Sequence, residues 1–282
     1  MPIVLLRSAC VNPRPLTGRA WTTAPVFRLR RAVLVPTALA LVAIAPARAR
    51  AEPSASFATS LRLLNQPAGR PWAVKLNVEG EFSDSEGIDA QPILQTLTFN
   101  LQDATVNVTG VQTCSAEPIV AVANDYDPCP RRLAVGWGTS DVQLRRPPGI
   151  DLHGHPPFYS YHLRSALYVG PKVPGGRVLM VIENGVNSPL TVIMRGVLRR
   201  TATGWIYTLP IPVIRDPQIG IMKVQRFTMA VGGFNRARPR HWFIEAPRVC
   251  PAAGFAFSMQ TQFEGAALLT STLGFGCELL GS

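Results

Sequence analysis

The sequence predicts an all-β protein: an antiparallel β-sandwich of about twelve strands, jelly-roll-like or built as two stacked immunoglobulin-like halves. Three observations carry this expectation. Short segments rich in β-branched and aromatic residues alternate apolar with polar side chains, the period of a half-buried strand. The 23 Gly and 26 Pro of the 282-residue chain punctuate those segments. No run of 12 residues places apolar side chains at the three-and-four spacing of a helix.

Trp72 to Gly80 is the clearest strand. Trp72, Val74, Leu76 and Val78 alternate with Ala73, Lys75, Asn77 and Glu79, so one face is apolar and the other polar. The same reasoning gives strands at Ile93 to Leu101, Thr105 to Thr109, Ala134 to Leu144, Tyr159 to Val169 and Arg177 to Glu183. Further strands are expected at Leu190 to Leu198, Gly204 to Leu209, Met222 to Ala230, Trp242 to Ala246, Phe255 to Phe263 and Ala267 to Leu273. Prolines this frequent are tolerated at edges and turns, where no ladder donor is lost. Pro171 to Gly176 is the best place to divide residues 52–282 into halves, 52–170 and 171–282, although periodicity leaves one extended domain equally open. Ser115 to Asp127, which contains Pro118, is expected to hold a single helical turn.

Residues 1–51 have the pattern of a leader. Arg28, Arg30 and Arg31 precede Ala32 to Pro46, 15 residues without charge, and Ala47-Arg48-Ala49-Arg50-Ala51 then offers small residues at alternate positions. That order predicts a secretory signal peptide cleaved after Ala51, with Ala49 the second choice. A permanent span would need roughly 20 apolar residues, and Pro36 interrupts this shorter run, so membrane contact is expected only during export. Residues 1–25 are unusually long and Pro/Arg-rich for a signal peptide, which suggests a translation start near Val26. N-terminal sequencing of the precursor decides that point.

The formal charge of +11 belongs largely to this leader, which holds eight arginines and no acidic residue. The other 20 basic groups face all 17 acidic ones, leaving +3 over residues 52–282 with no Lys/Arg block longer than two. Such a balance lacks the electrostatic footprint of phosphate binding, so nucleic acid is not an expected partner. The low net charge and many Val, Ile, Leu and Phe also exclude disorder of the chain as a whole.

Beyond Cys10 in the leader, the chain keeps Cys114, Cys129, Cys250 and Cys277. An even set in an exported chain is expected to oxidise. Of the three possible pairings, the two local ones are favoured, Cys114 with Cys129 and Cys250 with Cys277. Each would contribute on the order of 3 kcal/mol by restricting the unfolded chain. A metal site would need clustered Cys-x-x-Cys or Cys/His spacing, which does not occur.

At these cysteines the chain resembles a group of uncharacterised secreted, disulfide-bonded β-sandwich proteins of high-GC Gram-positive bacteria. The features that carry the resemblance are Thr113-Cys114, Cys129-Pro130, Val135-Gly136-Trp137-Gly138, Cys250-Pro251, Phe255 to Phe257, Gly265 and Cys277. They span Leu97 to Cys277, with Leu133-Ala134 standing where the group has a Ser ahead of the Val-Gly. The resemblance implies an exported disulfide-bonded β-protein and no particular activity. Gly136 and Gly138 fall on one face of a strand and leave room for a close-packed neighbour.

Catalytic templates are absent: there is no Gly-x-Ser-x-Gly, no His-Glu-x-x-His, no phosphate loop and no dinucleotide fingerprint. The one ligand-like constellation is Asp151, His153 and His155, with His162 seven residues on. In an extended segment these three side chains would point one way and could hold a divalent ion. Gly154 and Pro156-Pro157 favour instead a surface loop with unliganded histidines. Asp125 and Asp127 offer calcium too few side-chain ligands. Trp137, Trp205, Trp242, Tyr159 and Tyr161 would suit stacking on sugar rings, although Trp137 and Trp205 sit among alternating apolar residues and read as core. Arg236, Arg238 and Arg240, followed by His241, would align three guanidinium groups, either toward an anionic polymer or as a solvated edge that discourages pairing.

These readings converge on an exported, non-enzymatic module of the cell envelope or extracellular space, with no cofactor and with an envelope polymer, glycan or protein as partner. The competing expectation is an extracellular carbohydrate-binding or carbohydrate-active protein. Hydrolysis would need two carboxylates roughly 5 to 10 Å apart.

Overall fold

The computed structural model describes residues 53–64, 72–84, 93–122, 128–145, 158–186, 190–216, 220–232 and 242–275, the last without 248, 250 and 253. Period-two alternation is realised there as fifteen strands in one continuous sheet, every recorded pairing antiparallel. Strand β1 (Pro53–Leu64) runs along the whole of β2 (Trp72–Asp84), from Pro53 opposite Asp84 to Leu64 opposite Ala73. Then follow β3 (Leu94–Gln102), β4 (Thr105–Val106) and β5 (Ile119–Val122). After a short 3-10 turn at Arg131–Leu133 come β6 (Gly136–Arg145), β7 (Phe158–Val173), β8 (Gly176–Gly185), β9 (Leu190–Arg200) and β10 (Gly204–Pro210). The chain closes with β11 (Arg215–Asp216), β12 (Gly220–Gly232), β13 (Ile244–Ala246), β14 (Phe255–Phe263) and β15 (Leu269–Phe275).

The spatial order is β15, β14, β3, β10, β9, β8, β7, β6, β12, β2, β13, β4, with β1 on β2, β11 on β12 and β5 on β9. Its middle, β6 to β10, is a meander of sequential neighbours. Its two limbs are assembled from distant parts of the chain: β3 lies between β10 and β14, and β12 lies between β6 and β2. Strands from before and after residue 171 therefore interleave, and all fall in one compact unit, Ala49–Ser282. Pro171 to Gly176, the expected divide, forms the end of the β7–β8 hairpin, where Val173 faces Gly176 and Gly175 takes a φ of 73°.

The sheet curls until its limbs face each other across a sandwich-like core. Phe82 of β2 meets Phe263 of β14 edge-on at 5.8 Å between ring centroids, and Phe99 of β3 meets Phe227 of β12 at 6.4 Å. These strands are far apart in the hydrogen-bonded order, so only curvature of the sheet brings them together. β1 and β15 also approach each other, so the curl is nearly complete.

Strands β7 to β9 are covered on both faces. On β8, Leu179 and Val181 join the main core, while Val178, Met180 and Ile182 face a second cluster with Tyr168, Ile193, Cys114, Ala116 and Cys129. Cys114 and Cys129 are disulfide-bonded with Cα atoms 5.7 Å apart, as the local pairing predicts. The Cys114 amide donates to the Val169 carbonyl at 2.9 Å, holding the disulfide segment over this outer face.

Three strands were not expected from periodicity. β5 and β11 are too short for a pattern to register, and β1 interleaves Ser and Thr with small residues that give little contrast. The helical turn expected within Ser115 to Asp127 is corrected over its described part: residues 119–122 form β5, and the 3-10 turn falls after the second cysteine. Pairing of β5 with β9 supplies hydrogen bonds that a single turn would not.

Candidate functional site

Eleven strands contribute residues to the interior of the curled sheet, where their inward faces leave a cavity of about 120 Å³. Its wall is overwhelmingly apolar, with Leu76, Leu97, Phe99, Val181, Met194 and Phe257 among the side chains that line it. The outward faces, by contrast, carry Lys75, Glu79, Glu81, Asp141, His162, Arg164 and Arg226. Apolar inside and charged outside is the reverse of a barrel that faces lipid and encloses water.

Three polar side chains break the apolar wall at one place. Glu183 on β8 lies opposite Ser165 on β7, whose Oγ donates to Glu183 Oε1 at 3.1 Å. Ser165 in turn faces Gly138 on β6, and Ser140 occupies the next inward position of that strand. A Cβ at residue 138 would land on the Thr228 carbonyl oxygen, so only glycine permits β12 this close approach. The close-packed neighbour that Gly136 and Gly138 anticipate is therefore the β12 backbone.

Ser140 is 2% exposed, and its Oγ makes no hydrogen bond of good geometry. Burial raises the Glu183 carboxyl above its ordinary range, with Ser140 and Ser165 opposing that shift only in part. A buried carboxyl without a cationic partner is held neutral in this way and becomes a hydrogen-bond donor. The other polar groups of the wall are already engaged. Thr228 Oγ1 bonds Thr139 at 2.9 Å, and Tyr207 donates to the Leu179 carbonyl at 3.3 Å after its ring crosses Gly196. Burial pushes the Tyr207 phenol up, so it too stays uncharged.

Asp151, His153 and His155 lie outside the described residues, as do Cys250, Cys277, Asp125, Asp127, Arg236, Arg238, Arg240, His241 and the leader. His162 is on the exposed face of β7, where its Nδ1 bonds Asp141 Oδ1 of β6 at 2.7 Å across a ladder position. Among the described residues no group of three His, Cys, Asp or Glu side chains converges on a metal-sized site.

The aromatic residues do not share one surface. Trp137 is 48% exposed, which corrects the expectation that it belongs to the core. The inward positions of β6 belong to Gly136, Gly138, Ser140 and Val142, so Trp137 points outward. Trp205 and Tyr161 pack against the main core as amphipathic aromatics do, with the Tyr159 and Tyr161 rings 6.4 Å apart.

Glu183, Ser165 and Ser140 escaped notice in the sequence. The available signal is parity: Ser165 sits between inward Leu163 and Leu167, and Glu183 follows inward Leu179 and Val181. On β8 that signal is masked, because Val178, Met180 and Ile182 are equally apolar on the other face.

No protein-family model matches the chain, and no curated protein or solved structure matches it.

Proposed function

We propose that this chain is an exported, non-enzymatic interaction module of the cell envelope or extracellular space, and that it works by holding a small apolar molecule inside its curled sheet. The observation that carries the reading is the interior cavity of about 120 Å³, with its apolar walls and one polar corner. Most small-molecule sites have this composition, an apolar enclosure with few convergent polar groups. A dry apolar cavity of similar size, roughly 150 Å³, admits benzene. The disulfide between Cys114 and Cys129 is compatible with an oxidising exterior.

The carbohydrate reading draws less support from this interior. Sugars need many hydrogen-bonding partners, and the wall offers a single polar corner. Glu183 is the one carboxyl lining it among the described residues, where glycoside hydrolysis uses a pair.

Titration with toluene, followed through the methionine methyl resonances, tests the proposal. Met194, Met222 and Met229 line the cavity and should shift, whereas Met180 lies on the outer face beneath the disulfide and should not. Unmoved Met194, Met222 and Met229 at saturating toluene would refute interior binding. Glycan-array binding without any toluene response would transfer support to the carbohydrate reading.

A further inference from the structure

We propose that Ser140, Ser165 and Glu183 form a head-group site, selecting a small apolar molecule that carries one uncharged oxygen function, an alcohol above all. This rests on the reading of the cavity as a ligand site and adds the chemistry by which the ligand would be recognised.

Geometry comes first. The β7–β8 register sets Ser165 against Glu183, and the β6–β7 register sets Gly138 against Ser165, leaving no side chain at that inward position of β6. Ser140, one inward step further along β6, brings a buried hydroxyl up to Glu183 without a hydrogen bond of good geometry. A buried hydroxyl held short of a well-aligned partner is costly to the fold. A ligand oxygen beside Ser140 and Glu183 would remove that cost.

The chemistry of the corner then narrows the ligand. Ser165 already gives its hydrogen to Oε1 of Glu183. What remains is the carboxyl proton, a donor, and the Ser140 hydroxyl, which either donates or accepts. An alcohol oxygen takes the carboxyl proton and offers its own hydrogen to Ser140, so every group finds a partner. A hydrocarbon leaves the corner unfilled. A carboxylate would bring a bare charge into an apolar enclosure that holds no cation. An ammonium would have to ionise Glu183 and strip both charges of water, a desolvation cost that a buried pair recovers only with further hydrogen bonds.

Matched aromatic probes test the assignment on the disulfide-bonded protein: toluene, benzyl alcohol and benzylamine, titrated by calorimetry. Benzyl alcohol should bind about tenfold more tightly than toluene, the worth of one to two net hydrogen bonds. Glu183→Val and Ser140→Ala should each reduce that preference while still binding toluene. Ser140→Ala removes one oxygen from a strand whose backbone pairing is unchanged, so it keeps the test open should Glu183→Val fold poorly. If toluene binds as tightly as benzyl alcohol, or if the preference survives in both variants, the head-group site is wrong and the cavity reading stands. Tightest binding by benzylamine would mean ion pairing and would also overturn it. Failure of all three probes to bind would remove the cavity reading together with this one.

Discussion

Tyr168, buried on β7, donates its phenolic hydrogen to the carbonyl of Cys129 at 3.4 Å, so the disulfide segment is tied by a side chain to the strand it covers. Tyr168, Met180, Ile182 and Ile193 share one buried cluster with Cys114, Ala116 and Cys129 of that segment. The covalent bond and the cover over the outer face are thus one structural device.

Removing the bond should show its contribution directly. The Cys114→Ser/Cys129→Ser double variant closes no loop in the unfolded chain, and a loop of 15 residues corresponds to about 3 kcal/mol. Urea denaturation of the variant beside the oxidised protein should show a loss of that order. A difference under about 0.5 kcal/mol would mean that non-covalent packing holds the segment by itself.

Tyr168→Phe leaves the ring and removes the hydroxyl that donates to the Cys129 carbonyl. The expected loss is about 1 kcal/mol in the same denaturation experiment. Full retention of stability would imply that Cys129 finds another donor.

Two strand glycines separate a close backbone approach from open space. Gly138→Ala drives a methyl group into the Thr228 carbonyl and should cost several kcal/mol, because β6 and β12 must separate along their ladder. At Gly274 a Cβ meets open space, so Gly274→Ala should change stability by less than about 0.5 kcal/mol. Equal melting temperatures for the two variants would contradict the packing described between β6 and β12.

The pH dependence of stability should carry the mark of Glu183. Burial raises its carboxyl in the folded state, so the native protein binds the proton more tightly than the unfolded chain does. Stability from this group is complete below the unfolded value of 4.5 and is lost as pH rises toward the folded one. The slope is on the order of 1.4 kcal/mol per pH unit within that window. Glu183→Gln cannot ionise and should lack this component, so its advantage over the parent should grow with pH above 4.5. The polar side chains that act on Glu183 are Ser140 and Ser165, neither of which titrates there to obscure the comparison. Parallel stability curves for the two proteins would count against a buried, proton-holding carboxyl.

The β class, twelve of the fifteen strands and the local disulfide were legible because each rests on short-range information. Phe255 to Phe263 alternates so regularly that sequence and structure agree on both ends of β14. Trp137 shows where such reasoning stops. Two apolar residues at alternate positions, Val135 and Trp137, suggest an inward face, yet the tight approach of β12 assigns the interior to the glycines between and after them.

Composition and alternation by themselves determined that this chain forms antiparallel strands and that Cys129 lies within reach of Cys114, since both follow from residue type and nearby spacing. The order in which those strands pair, the curl that faces Phe82 with Phe263, and the meeting of Ser140, Ser165 and Glu183 in one corner were decided only by tertiary structure. Pairings such as β3 with β14 join residues more than 150 positions apart, and period-two patterning says which side of a strand is buried but not which partner covers it.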